Sequence, residues 1–341
     1  MRRLIVFPVL VIFLIIAGYS GWWYLLAART EAGFQAWIDE RRTEGMEVTY
    51  QGYTISGFPR EVRLAIDQPK VRTAGPKGVT VWTTPFAAAW ATPWSPLTIM
   101  VEPSGQHSLL IQQGDQRTEL DVRATALLGR VMIGNDGQIQ SADVSADGLV
   151  ATANAEEVGR FSRFVLRLSD LGNLGTTSPK NLRMEVANLI LPQLRGQPLG
   201  SRLEALALDA DLTGVIAGRA PSQMVTMWRD TGGRAIINDF RATWGHLALA
   251  ANGEGSVDHD LQPNLKLDTR TTGLPETVDA LAAKGYLKSG AATAVKFALT
   301  VLGSRSSSGP RGSIDLPVSI RNQTVFLGSI GLAKVPDVVW Y

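Results

Sequence analysis

YTISGFPREVRLAIDQPKV, residues 53–71, decides how the chain reads. After Pro59, the residues Val62, Leu64 and Ile66 alternate with Arg63, Ala65 and Asp67. Successive side chains of a strand point to opposite faces, so this period of two predicts a strand with one apolar face. The corner before it, Ser56-Gly57-Phe58-Pro59, holds no acid or base, and Ser56 has no neighbouring His. Pro59 lacks an amide proton and biases Phe58 toward extended geometry, while Gly57 reaches positive φ without a Cβ clash. The corner therefore predicts a bend that turns Phe58 inward and restarts the strand at Val62. In the alternative reading, Phe58 lines an apolar groove.

The same alternation recurs along the chain, at Leu120–Ala124, Leu182–Val186, Leu206–Leu208, Leu247–Leu249, Leu265–Leu267 and Ile314–Ile320. Turn-forming residues separate these runs: GND at 134–136, SADG at 145–148, RGQPLG at 195–200 and ANGEG at 251–255. Strand-length runs at this spacing predict hairpins and meanders, hence an antiparallel sheet. Two helical pieces interrupt them. One is Ser222–Arg229; the other starts at Pro275 under a cap from Thr271 or Thr272, runs to about Leu302 and is broken at Gly285. GSRSSSGPRG, 303–312, has the composition of a mobile loop.

Upstream of the corner, Leu4–Ala28 carries no charge over 25 residues. As a helix it is about 37 Å long, enough to cross a hydrocarbon core of about 30 Å with some tilt. Arg2 and Arg3 precede it, and Trp22, Trp23 and Tyr24 stand near its far end. Basic flanks stay in the cytoplasm and indole rings favour the interface, so the bulk of the chain lies outside the cytoplasm. The competing reading is a cleaved signal peptide with its cut near Gly18-Tyr19-Ser20. Thr30–Glu44 follows as an amphipathic helix capped by Thr30, with Phe34, Trp37, Ile38 and Arg41 at helical spacing. It serves either as a stalk or as packing for the domain behind it.

The chain of 341 residues has a net charge of +2 and no cysteine. Thiol catalysis, disulfides and Cys-ligated zinc are excluded, and nothing in the charge balance favours a nucleic acid. His107, His246 and His259 are isolated from one another. The pairs Asp209/Asp211 and Asp258/Asp260 share a two-residue spacing that can hold a metal or a proton but is common on solvated strand faces. If the chain were a hydrolase of envelope polymers, Asp209, Asp211, Asp258 and His259 would be its candidates. No nucleophile elbow, phosphate loop or dinucleotide fingerprint occurs. The reading is of no enzyme, no cofactor and no metal. Trp82, Trp90 and Trp94 cluster in VWTTPFAAAWATPWSPLTIMV, 81–101, either as core rings or as an apolar, membrane-facing edge.

The charged start and anchor, the ISGFP corner, ATPWSPLTI and the closing LPVSIRNQTVFLGSIGLAKVPDVVW together resemble an uncharacterised family of Gram-negative bacteria, domain of unknown function family 2125. The resemblance implies no catalytic residue. The plan of an anchor followed by β-hairpins is similar, in architecture alone, to envelope proteins of the AsmA type, which are thought to hold acyl chains in a β-groove.

The expectation is thus a mainly β (α+β) protein with an N-terminal transmembrane helix. Behind it comes a curved antiparallel sheet or β-groove on which a C-terminal helical segment packs. Residues 1–28 form the cytoplasmic stub and anchor, 29–45 the stalk helix and 46–341 a periplasmic domain on the bacterial inner membrane, with an optional break near 175–200. Its expected role is to bind a lipid or another apolar envelope component, and the alternative is a scaffold for envelope protein partners. The groove residues would be Phe58, Val62, Leu64, Ile66, Trp82, Trp90, Trp94, Leu247, Leu249, Leu265 and Leu267.

Overall fold

The computed structural model describes residues 2–75, 78–218, 220–286, 293, 313–327, 330–335, 337, 338 and 340. Apart from residue 293, the expected second half of the long C-terminal helix lies outside them, as does the loop at 303–312. The chain is mainly β and antiparallel, with an apolar N-terminal helix. It forms two compact units, residues 1–137 with 150–157, and residues 138–149 with 158–341. The stretch 175–200 falls inside the second of these, as the loops at the two ends of one strand.

The first unit begins with α1, Arg2–Thr43, a single helix of 42 residues. The sequence suggests an anchor and a separate stalk, but nothing between Ala27 and Thr30 breaks the backbone. The Thr30 hydroxyl, instead of capping a new helix, donates to the Leu26 carbonyl one turn back at 2.9 Å. The helix ends at Thr43, and Gly45, whose φ of 81° suits a residue without a side chain, turns the chain into β1. Its last turns pack rather than stand free. Phe34 and Ile38 are buried with Val48 and Leu64, and Tyr50, Tyr53, Ile55, Ile66 and Val71 close round them.

Ten strands follow in this unit: β1 (Met46–Thr49), β2 (Gly52–Ser56), β3 (Val62–Asp67), β4 (Lys70–Gly75), β5 (Gly78–Thr83), β6 (Phe86–Thr92), β7 (Ser95–Ser104), β8 (Gln106–Gln113), β9 (Gln116–Arg123) and β10 (Ala126–Ile133). They are the halves of longer strands. β2, β3, β6, β7 and β10 pair in that order. β1, β4, β5, β8 and β9 pair likewise, and β9 then meets Val150–Ala153. Each strand thus bends as it passes from one ladder to the other, at 50–51, 68–69, 84–85, 105 and 124–125, and the bends line up as one crease. Prolines and a left-handed residue make it: Gln68 has φ 47°, and Pro69 and Pro85 donate no ladder bond. Across the crease Gln68 N–H reaches the Pro85 carbonyl at 3.0 Å, and the buried Thr84 hydroxyl donates to the Ser104 carbonyl at 3.1 Å.

The second unit is a meander in chain order. β11 (Ile139–Ala153) and β12 (Glu156–Ser169) lead into β13 (Lys180–Ile190), β14 (Arg202–Thr213), β15 (Arg234–Trp244), β16 (Leu247–Val257), β17 (Pro263–Thr272), β18 (Ile314–Arg321), β19 (Thr324–Leu327) and β20 (Ile330–Lys334). Each strand from β12 to β20 pairs antiparallel with the next. Helices α2 (Pro221–Asp230) and α3 (Leu274–Ala283) lie between them. The cap of α3 is Gly273 with φ 77°, not Thr271 or Thr272, which finish β17. Two stretches that read as turns are strand: SADG lies within β11 and ANGEG within β16. The glycines in ANGEG are there for closeness. A Cβ on Gly253 would stand 2.1 Å from the Lys266 carbonyl oxygen of the next strand.

Candidate apolar binding site

Register makes the second unit two-faced. Reading straight across the paired strands, one row is Val186, Leu206, Ala242, Leu249, Thr271 and Ile314. The next row is Met184, Leu208, Phe240, Ala251, Thr269 and Leu316, and the third is Leu182, Ala210, Ile237, Gly253, Leu267 and Val318. Side chains two apart share a face, so these rows form one apolar surface. Many of its members, Leu208, Phe240, Leu249, Leu265 and Leu267 among them, are half-buried. The opposite face is polar. There Arg183 bonds Asp209 through Nε at 3.0 Å and also through Nη2, and Arg270 bonds Asp315 at 2.8 Å.

Helices sit on the apolar face at both ends. On one side Val278 of α3 is buried against Ile314, with Leu316, Leu274 and Ala282 around them. On the other, α2 packs by Trp228, whose indole N–H donates to the Thr213 carbonyl at 2.6 Å. The C-terminal segment joins it there. Gln262 grips Val338 with both ends of its amide, at 3.2 and 2.9 Å, and Trp340 donates to the Leu261 carbonyl at 2.9 Å. Together these border an open, apolar pocket of about 300 Å³ lined by Leu212, Ile216, Pro221, Met224, Val225, Trp228, Val257 and Trp340. Beside it Lys180, 2% exposed, donates to the carbonyls of Thr176 and Gly214 at 2.5 and 2.9 Å. Burial pushes its ammonium below the ordinary lysine value.

The residues singled out from sequence separate between the units. Leu247, Leu249, Leu265 and Leu267 share the apolar face of the second unit. Val62, Leu64 and Ile66 belong to the first, where Leu64 is buried with α1 residues and Ile66 packs beside it. Phe58 is half exposed and meets Tyr19, Trp23 and Tyr24 of α1 with ring centroids 5.5–6.5 Å away. Trp82 stacks on the buried His107 at 6.1 Å, Arg63 lies 4.4 Å over Trp90, and Trp94 is 69% exposed. The sequence pattern does not single out Trp228, Met224 or Trp340, although it predicts the helix Ser222–Arg229. The Gly232-Gly233 step after it was the available signal, because a tight turn there lays the helix back on the sheet.

The acidic candidates are occupied. Asn181 donates to Asp209 and Asp211, each at 2.9 Å, and Asn238 donates to Asp211 at 2.8 Å. The Asn181 amide and then Arg183 hold the Asp209 carboxyl below its ordinary value. Asp258-His259-Asp260 lies in a turn rather than a strand. Asp258 accepts from the backbone N–H groups of Asp260 and Gln262 at 2.9 and 2.8 Å, and His259 faces Asp260 at 3.4 Å. Among the described residues no group of three or more His, Asp or Glu side chains gathers as a metal site would require.

Neither the curated proteins nor the solved structures contain a match to this chain. A family model described as an uncharacterized protein conserved in bacteria (DUF2125) matches residues 23–336, both β units included. The chain belongs to that family.

Proposed function

We propose that this is a bacterial inner-membrane protein, anchored by α1, that holds a lipid or another apolar envelope component on the apolar face of its second unit without transforming it. The observation that carries the reading is the set of mainly apolar rows, many of their side chains half-buried, that leads to the pocket under Trp228 and Trp340. A pocket of about 300 Å³ suits one end of a slender ligand, since small-molecule sites hold about 300–1,000 Å³. Along β16, from Leu247 to Val257, the face is about 33 Å long at 3.3 Å per residue, which suits an extended chain. Burial at about 25 cal/mol per Å² supplies affinity without specific chemistry. Arg2 and Arg3 before the span favour a periplasmic location for the β units.

The test is lipid stoichiometry. The full chain is extracted from its native envelope, and organic extracts are measured by mass spectrometry beside Leu249→Asp, Met224→Glu and Arg241→Ala variants. Lipid bound by α1 is common to all. The reading expects an additional lipid species in the wild type and in Arg241→Ala, on the polar face, and its loss from the other two. Equal lipid in all four proteins rejects it.

A second reading, a scaffold for envelope proteins, rests on β20. Among the described residues it pairs with β19 alone, so its outer edge can add a partner strand. Equal lipid content together with a protein partner lost on Lys334→Pro favours that reading.

A further inference from the structure

We propose that two strand tips of the first unit, the β2–β3 and β6–β7 turns, dip into the bilayer interface beside α1 as a docking rim. The inference rests on α1 being membrane-embedded, and three observations carry it.

The tips are bonded to the helix at a defined height. Tyr19 donates its hydroxyl to the Pro59 carbonyl, Trp22 its indole N–H to the Pro93 carbonyl at 3.0 Å, and Trp23 to the Glu61 carbonyl at 2.8 Å. The bilayer must reach that height. A core of about 30 Å takes about 20 helical residues at 1.5 Å each. Counted from Leu4, the first residue after Arg3, twenty residues end at Trp23. Leu10 to Ile16, below the tips, leave their apolar side chains exposed at 38–65%, as membrane contact requires. The hydrocarbon boundary therefore falls level with the carbonyls of Pro93 and Glu61.

The tips are also apolar where they face outward. Trp94 is 69% exposed, Phe58 50% and Leu97 40%, with Arg60 exposed two residues after Phe58. Amphipathic rings and a cation are what an interface selects. The other end of the meander differs: the β8–β9 turn is Gln113-Gly114-Asp115-Gln116. The next turn on the near side, Gly134–Gly137, carries Asp136 between the exposed Met132 and Ile139, and the proposed rim is limited to the two turns bonded to α1.

The chain has no cysteine, so single labels are unambiguous. Full-length Ile15→Cys, Leu97→Cys and Gln113→Cys variants carry a nitroxide in phosphatidylethanolamine–phosphatidylglycerol vesicles. Depth is read from the ratio of oxygen to nickel-chelate relaxation. The inference expects Ile15 in the hydrocarbon, Leu97 at the headgroup–acyl boundary and Gln113 in water. Leu97 behaving like Gln113 while Ile15 reads hydrocarbon overturns the rim and leaves the anchor standing. Ile15 reading water overturns the anchor and the rim together.

Discussion

Gly233 donates its backbone N–H to the carbonyl of Trp228 at 2.7 Å, which presses the chain after α2 flat against the indole ring. A Cβ at position 233 would lie 2.4 Å from that carbonyl oxygen and 2.5 Å from two ring atoms. The wall of the apolar pocket thus depends on a residue that has no side chain.

Gly233→Ala is expected to displace Trp228 and to destabilise the second unit by about 1–3 kcal/mol, the range for overpacking. Urea unfolding of the detergent-solubilised chain, followed by tryptophan fluorescence, measures it. Gly232→Ala does not share the clash, since a Cβ there meets no atom within 4 Å, although its φ of 73° still strains any side chain.

Ile38, 1% exposed, is the bolt between α1 and the first unit. Ile38→Ala leaves a cavity and is expected to be destabilising by about 2–5 kcal/mol. Trp37, one residue away and 44% exposed, gives the control: Trp37→Ala stays within about 0.5 kcal/mol. Equal losses at the two positions would mean that α1 does not seat as described.

Phe58→Ala removes the ring that meets three aromatic residues of α1, interactions of about 0.5–1.5 kcal/mol per pair. Hydrogen exchange at the amides of Arg60 and Glu61, both bonded to the Gly57 carbonyl, is expected to quicken while exchange in β16 and β17 is unchanged.

Burial holds the His107 imidazole below its ordinary value of 6.5. The unfolded chain therefore takes up the proton first as pH falls. The stability that neutral His107 supplies is complete above 6.5 and is lost as pH drops from there through the folded value. His107→Phe keeps a ring against Trp82 and is expected to flatten the dependence of unfolding free energy on pH between about 8 and 5.

Where local pattern and tertiary need agree, the sequence was readable. The apolar span, the period-two strands and the helix at Ser222–Arg229 all stand in the structure. The misreadings share a cause. ANGEG and SADG look like turns because glycine is read as flexibility, whereas at Gly253 the demand is closeness to the neighbouring strand. The anchor and stalk read as two elements because hydropathy changes at Arg29, although backbone hydrogen bonding does not. The grouping of candidate residues met a similar limit. Leu64 and Leu249 carry the same alternation, and a period of two does not say which layer will cover a face. One is buried beside α1, and the other lies on the second unit's sheet.

The unbroken course of α1 makes the first unit a lever. A helix held at Tyr19, Trp22 and Trp23 by the strand tips and at Phe34 and Ile38 by the core cannot lean without carrying those strands with it. A thinner bilayer tilts a span of fixed hydrophobic length. With α1 embedded as proposed, such a tilt would become a rotation of the creased sheet, so that membrane thickness would set the pitch of the first unit.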